Sequence, residues 1–388
     1  MDDDVSFNIV RSLKRPKEAK KQKEKNNSKR IKSQKSDPPK PAKKENDVSL
    51  VQLLKEIPQR IPFQGKPTKT TFSVALPVSL VQNIQTDELR AYIIGSIART
   101  LTIYGIHEVI LYNDIGEEGY EWQEYFAVNL RFLETPQYLR RYMFPLSDEL
   151  RNTGLQNPLD APHHLRSNEW LPYREGVIKL EPKGGTSKSG SLAVYAECGL
   201  FGRIEINNPK ALKELYGTDL FCLDDAEEEV YQRVTVRLDA SSLNECKRRW
   251  MEQKRGIYNA HETTLSGSLV APDEPQCMAG LYWGYVVREV DRYNAVFEGC
   301  PFNQNGTYDF KIGTSERGDI YPKDVKVPKF DHLLMVLGPV QGLESIVENP
   351  QENVDAYVNF CYNQRSRTIR TEEALTICLS QFFAHYSI

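Results

Sequence analysis

The sequence predicts an α/β fold on a largely parallel sheet, interrupted by a small inserted β-barrel and preceded by a disordered basic tail. Three observations carry that expectation. Short apolar runs alternate with longer runs of helical period on either side of the chain's middle, the pattern of strand–helix–strand units. Between about Pro172 and Pro275 the helical period gives way to short strand-like runs, several of them separated by glycine turns. From Arg11 to Lys44 the chain is rich in Lys, Arg, Ser, Pro and Asn and has no aromatic residue. The expected organisation is a tail over 1–46, a first α/β part over 47–171, a barrel over 172–275 and a second α/β part over 276–388.

The tail holds Lys14-Arg15-Pro16-Lys17 and Lys20-Lys21-Gln22-Lys23. Such a segment buries too little apolar surface to offset its ordering entropy. Its charge suits nuclear targeting, or an arm that gains from counterion release on RNA; a merely solvated tail is the plain alternative. The net charge of −3 therefore averages a basic arm and an acidic remainder.

Thr71-Phe72-Ser73-Val74-Ala75-Leu76-Pro77 reads as a strand stopped by proline. A helix follows, with Thr86 as cap, Asp87 and Glu88 in its first turn, Leu89, Ile93, Ile97 and Leu101 recurring every four residues, and Gly105 at its stop. Val109-Ile110-Leu111-Tyr112 is the next strand, and a second helix carries Trp122, Phe126, Leu130 and Leu133 before Pro136 breaks it. In the insert, 176–180, 191–195, 203–206 and 233–238 read as strands; in the last, Val234, Val236 and Leu238 share one face and Thr235 and Arg237 the other. Lys247-Arg248-Arg249-Trp250 suits a phosphate backbone with a stacked base, or equally a charged helix surface with one buried tryptophan.

The α/β texture resumes over 281–288. Leu333 to Leu337 is a continuous apolar run, as in a strand buried on both faces, and Val354, Ala356, Val358 and Phe360 alternate as another strand. Thr371 reads as the N-cap of a last helix, with Glu372 and Glu373 in its first turn and apolar residues around most of its circumference.

Several classes are excluded. No window approaches the 18 apolar residues of a membrane span. The start, Met1-Asp2-Asp3-Asp4, lacks the apolar region of a secretory signal. Seven scattered cysteines form no Cys-x-x-Cys pair, which argues against a disulfide framework and a zinc site and for a reducing compartment. His163-His164 has no accompanying ligand pattern, so a structural or RNA-contacting role is expected there and no metal.

Three loops are candidates for a site at one sheet edge: Gly313 to Gly318 and Gly338 to Gly342, with their glycines, and the basic stretch from Asn363 to Arg370. Neither a phosphate-binding loop, a dinucleotide fingerprint nor a nucleophile elbow is present; Gly185 to Gly190 reads as a flexible turn.

Thr71 to Pro77, Pro158-Leu159-Asp160-Ala161-Pro162-His163-His164, Ala279-Gly280-Leu281-Tyr282-Trp283-Gly284-Tyr285, Gly313-Thr314-Ser315-Glu316-Arg317-Gly318, Gln341-Gly342-Leu343-Glu344 and Ser366-Arg367-Thr368-Ile369-Arg370-Thr371-Glu372-Glu373-Ala374 stand in this order. The series resembles the motifs of the SPOUT-class RNA methyltransferases, in the subfamily found in archaea and eukaryotes, over roughly residues 70 to 385. The resemblance implies a trefoil-knotted α/β domain, S-adenosylmethionine held in the knot loops, a homodimer around them, and an inserted barrel resembling an OB-fold. Carried onto this chain, the cofactor-binding residues are Thr314, Arg317, Gly338, Gly342, Leu343, Glu344, Asn359 and Thr368. Methylating a base nitrogen such as uridine N3 requires its proton to leave or its anion to be stabilised. Arg317 or Arg370 would stabilise that charge and Glu373 or Glu316 would accept the proton; helix-dipole stabilisation is the alternative for Glu373 and a loop salt bridge for Glu316.

The chain departs from the family where relatives carry a Pro-Gly-Gln-Gly-like stretch and it has Tyr362-Asn363-Gln364-Arg365. Bulkier residues there are expected to weaken the hold on the cofactor. The expected function is methylation of a structured RNA, ribosomal RNA or its precursor particle, in the nucleus or nucleolus and without a membrane. The alternative is a non-catalytic RNA-binding ribosome-assembly factor with the same fold.

Overall fold

The computed structural model describes residues 65–182, 192–200, 202–218, 231–254 and 265–386. The basic tail and the turn at 185–190 lie outside the described residues. Six strands, all parallel to their neighbours, make the main sheet: β1 (Thr71–Pro77), β2 (Glu108–Tyr112), β8 (Val286–Val290), β9 (Phe310–Thr314), β10 (His332–Val336) and β11 (Ala356–Val358). Their order across the sheet is β11–β9–β10–β1–β2–β8. The inner strands read as unbroken apolar runs because both faces are covered. Phe72, Val74, Leu76, Val109, Leu111, Leu333 and Met335 enter one core, while Ala75, Ile110, Tyr112, Leu334 and Val336 enter the core on the opposite face. One acid is buried among them. Glu108 is fully covered and is matched by Arg288 Nε at 2.7 Å and the Tyr308 hydroxyl at 2.7 Å.

Between β1 and β2 run α1 (Ser79–Gln82) and α2 (Asp87–Ile103). Thr86 caps α2 as expected, its hydroxyl accepting from the Leu89 N–H at 3.3 Å. The expected every-fourth stripe is corrected: Leu89 is exposed, and the buried face is Ala91, Ile94, Ile97, Ala98 and Leu101. A spacing of three and four follows the 3.6-residue turn, whereas strict fours drift off the core face. Next, α3 (Gly119–Glu134) buries Phe126, Ala127, Leu130 and Leu133, and α4 (Gln137–Met143) begins after Pro136.

The insert is a closed barrel of β3 (Tyr173–Pro182), β4 (Leu192–Glu197), β5 (Ile204–Ile206), β6 (Arg233–Leu238) and β7 (Leu265–Val270), closing in the order β3–β4–β5–β7–β6. Only the β5–β7 pair is parallel. The fifth strand escaped the sequence reading because Ser266, Gly267 and Ser268 interrupt its apolar residues. Among the described residues, the insert holds two helices, α5 (Ala211–Tyr216) and α6 (Ala240–Lys254). On α6, Arg248 pairs with Glu245 and Glu252, and buried Arg249 with Glu245 at 2.9 Å. Those two arginines therefore serve their own helix rather than a phosphate backbone.

Thr235 is buried, contrary to its expected solvent face, because that side of β6 abuts the α/β part. Its hydroxyl donates to Glu175 Oε1 at 2.8 Å, and Trp283 Nε1 donates to the same oxygen at 2.5 Å. Arg233 bridges Glu175 (2.6 Å) in the barrel and Glu134 (2.6 Å) at the end of α3. His163 Nε2 lies 3.0 Å from the Glu134 carboxylate, and the His163 and His164 rings pack edge to face at 4.4 Å. The histidine pair thus belongs to the polar joint that fastens the barrel.

After α7 (Glu274–Ala279), the α/β texture expected over 281–288 resumes with β8, which starts at Val286. Leu281, Trp283 and Tyr285 are buried from an irregular segment before it. The last helix, α8 (Thr371–His385), buries Leu375, Cys378, Leu379 and Phe382 but leaves Glu373, Thr376, Ser380 and Gln381 exposed, so it is one-sided rather than apolar all round. Phe382 packs on Phe72 with ring centroids 5.2 Å apart. The six described cysteines are free thiols. Among the described residues no helix is long and apolar enough to cross a membrane, and no cluster of three or more His, Cys, Asp or Glu could hold a metal.

Candidate functional site: a cleft at the carboxyl edge of β9, β10 and β11

Three adjacent parallel strands end side by side, and the loop after each bends into one cleft. Thr314, Ser315, Glu316 and Arg317 follow β9, Leu337 to Gly342 and Glu344 follow β10, and Val358 to Cys361 with Gln364 come from β11 and its loop. Ile369, Thr371, Ala374, Ile377 and Cys378, from the start of α8, form the remaining wall. This is the edge at which open α/β sheets take ligands, since there the loops are free of the sheet's hydrogen bonding.

The loop after β10 is held from both sides. Tyr112, buried in the next strand but one, donates its hydroxyl to the Leu337 carbonyl at 2.7 Å, and Thr371 donates to the Gly338 carbonyl at 3.1 Å. A Cβ at position 338 would stand 2.6 Å from the Leu343 nitrogen, so only glycine lets the loop close on itself. The other two loops are joined to each other. Asn359 donates its main-chain N–H to the Ile320 carbonyl at 2.9 Å and its side-chain amide to the Glu316 carbonyl at 2.7 Å. Gln364 donates to the Glu316 carboxylate at 3.2 Å, and Gly318 packs where a Cβ would lie 2.8 Å from the Asn359 nitrogen.

Glu344 is the acid of the cleft with a displaced titration. Burial alone would raise its pKa, but the Ser315 hydroxyl, which donates at 2.7 Å, its own loop N–H and the charge of Arg317 together hold it below the usual carboxylate range. It is ionised at neutral pH.

Of the residues named from the sequence, Thr314, Arg317, Gly338, Gly342, Glu344 and Asn359 line this one cleft. Leu343 is buried beneath the β10 loop. Thr368, Arg370 and Glu373 are exposed and lie outside the lining, although Ile369 and Thr371 between them belong to it. The expected cap is corrected: Arg370 is the N-cap of α8 and Thr371 its first residue. Thr371 is drawn inward by the Gly338 carbonyl, and the Glu373 carboxylate reaches back to the Arg370 N–H at 2.9 Å. Ser315 and Gln364 fall within the loops named from the sequence without having been given a role, whereas Tyr112 and the apolar wall of Ile377 and Cys378 were missed. A tyrosine ending a buried strand gives no sign by itself that its hydroxyl will hold a loop more than 200 residues away (separation 225).

A parallel α/β sheet with a loop-built cleft at its carboxyl edge and a barrel beside it defines a ligand-binding α/β protein carrying an accessory module. The comparisons narrow that class. A family described as "Putative RNA methyltransferase" matches residues 71–382. The chain is 38% identical over 339 residues to a mouse protein named "28S rRNA (uridine-N(3))-methyltransferase", covering 82% of this chain and 76% of that one. It is 36% identical over 338 residues to a human protein of the same name, covering 82% and 78%. A Drosophila melanogaster protein of that name is 36% identical over 347 residues, which span 62% of its length. The chain belongs to this RNA methyltransferase family, whose chemistry moves a methyl group from a donor to RNA.

Proposed function

We propose that the chain is an S-adenosylmethionine-dependent methyltransferase acting on N3 of a uridine in ribosomal RNA. The meeting of the β9, β10 and β11 loops in one cleft carries this reading, within a chain matched by the family over residues 71–382. The names of the mouse and human relatives support the ribosomal substrate and the uridine atom.

The residues suit the donor. Leu337, Val358, Phe360 and Ile377 offer apolar walls to a flat adenine ring, and the bare backbone at Gly338 allows close approach. Ionised Glu344 complements positive charge, and Arg317 at the rim complements a carboxylate. When bound, S-adenosylmethionine supplies a methyl group that is already electrophilic. The chain's own task is alignment, exclusion of water and management of one proton. Of the two candidate carboxylates, Glu316 lines the cleft while Glu373 is engaged by the Arg370 N–H, so Glu316 takes the proton in this reading. Arg317, exposed and in no ion pair among the described residues, stabilises the anion left on the ring.

The finer architecture belongs to the same proposal. The barrel closes first–second–third–fifth–fourth with α5 between its third and fourth strands, which supports an OB-like module that grips RNA. The loops after β9, β10 and β11 are read as a trefoil knot. Exposed Leu89 and Tyr92 on α2, which packs against α8, support a homodimer face, and the basic stretch 11–44 supports a nuclear or nucleolar site. Gln364 lines a well-formed cleft despite the unusual 362–365 sequence, which favours the enzyme over a non-catalytic assembly factor.

The test is calorimetric titration with S-adenosylmethionine, paired with transfer of labelled methyl to ribosomal RNA transcripts. Micromolar binding, lost in Gly338→Trp, with label recovered as 3-methyluridine, is the expected outcome. A well-folded protein that binds no S-adenosylmethionine would sink the reading.

A further inference from the structure

Two large aromatic side chains stand in water at the rim of the cleft and touch each other. Tyr321 is 41% exposed and Tyr362 58% exposed, and their ring centroids lie 4.8 Å apart. Their segments are not loose tips. The main chain joins them through Ile320 and Asn359 at 2.9 Å, and the side chains of Asn359 and Gln364 fasten the second segment to Glu316. The pair is therefore ordered in advance, and a ligand that uses it meets a small entropic penalty.

The charge on the Tyr362 side of the pair is of one sign, whereas exposed Asp319, Lys323 and Asp324 flank Tyr321. From Tyr362 to Arg370 the chain carries Arg365, Arg367 and Arg370 and no acidic residue. All three arginines are exposed, and none is in an ion pair among the described residues. Aromatic faces flanked by unpaired guanidinium groups match a nucleic-acid strand, in which bases stack and phosphates neutralise. Duplex RNA hides its base faces, so the surface selects an unpaired nucleotide.

We propose that the exposed ring of Tyr362, braced by Tyr321 whose plane is tilted 55° to it, forms a stacking platform for one unpaired base of the RNA, next to the nucleotide that enters the cleft, while Arg365 and Arg367 hold its phosphates. The platform rests on the reading of the chain as an RNA methyltransferase. It gives the 362–365 segment a substrate-positioning role: a base held at the rim fixes the register of its neighbour against the methyl donor.

The full chain is titrated with fluorescently labelled dodecauridylate by anisotropy, as wild type, Tyr362→Ala, Tyr362→Phe and Tyr321→Ala. Tyr362→Ala should weaken binding about ten-fold and raise the KM for RNA with kcat unchanged, and Tyr362→Phe should stay within about two-fold of wild type. Molar mass by light scattering and melting temperature should not move. Dodecauridylate carrying 5-iodouridine should crosslink to the peptides of Tyr321 or Tyr362. Unchanged RNA affinity in Tyr362→Ala alongside an active wild type overturns the platform alone. A change of molar mass in that variant also overturns it, by assigning the pair to a subunit contact. A wild type that binds S-adenosylmethionine but no RNA overturns the platform and the underlying reading together.

Discussion

His107 takes the Phe72 main-chain N–H on its Nδ1 at 3.1 Å, and an atom that accepts that bond cannot also carry a proton. Burial, only partly opposed by a hydrogen bond with Gln276, pushes its pKa down to about 4. Burial, with His163 alongside, likewise holds His164 down to about 3. An unfolded imidazole binds its proton near pH 6.5, so between there and about pH 4 the unfolded chain holds more protons than the folded one. Stability is therefore present above pH 6.5 and is lost as the pH falls through this window. Of the stability that urea unfolding shows to be lost between pH 7 and pH 4.5, His107 alone should account for about 2 kcal/mol. In His107→Asn, whose side-chain oxygen can take the same N–H, the difference should shrink; equal midpoints for the wild type at both pH values would refute the argument. The same scale shows why some site residues were legible and others not. Thr314 stands in an ordered motif and Gly338 opens a glycine loop after an apolar strand, so their convergence could be anticipated, whereas Asn359 was indicated by the resemblance alone. Arg370, Thr371 and Glu373 could not be ranked, because a threonine before two glutamates signals a cap whether or not a neighbouring carbonyl claims its hydroxyl.

Among the elements, α8 joins the fold to the cleft. Its Phe382 packs on Phe72, Phe383 and Tyr386, with centroids 5.2, 5.7 and 4.9 Å away, and its Ile377 and Cys378 form the cleft wall. Phe382→Ala should cost about 3–5 kcal/mol, read as a shift of the denaturant midpoint at constant slope. Gln381→Ala, on the exposed face, should stay within about 0.5 kcal/mol. A similar loss in both variants would show that α8 contributes no core. Elements with strong apolar patterning were legible: the runs at 71–77 and 333–337 mark buried strands, and Phe126, Leu130 and Leu133 mark a core face. β7 was not, because Gly267 stands between Leu265 and Leu269 on its buried face and leaves too few apolar residues there to mark a strand. The buried side of β6 was hidden for a different reason. Thr235 looks solvent-facing until a second body is packed against it, and one strand's sequence says nothing of that body.

For the whole molecule, the joint between barrel and sheet is a set of charges withdrawn from water. Glu134 and Glu175 share Arg233, and burial, which would neutralise Glu134, is outweighed by Arg233 and His163, which hold its carboxyl well below the usual range. Removing the shared cation leaves two buried carboxylates unmatched. Arg233→Met should cost about 3–5 kcal/mol and broaden or split the unfolding transition as the barrel loses its fastening. A single sharp transition at the wild-type midpoint would show that the joint holds without it. The sheet has a consequence in time as well as in space. β1 is made early and pairs soon with β2, but its other edge waits for β10, whose His332 lies 261 residues beyond Thr71. At roughly 5–20 residues per second the ribosome needs about 10–50 s to supply that strand. Throughout that interval Phe72, Val74 and Leu76 border an unpaired, sticky edge, the kind that seeds aggregation. A nascent copy is therefore expected to aggregate more readily than the finished chain until β10 emerges and covers that edge.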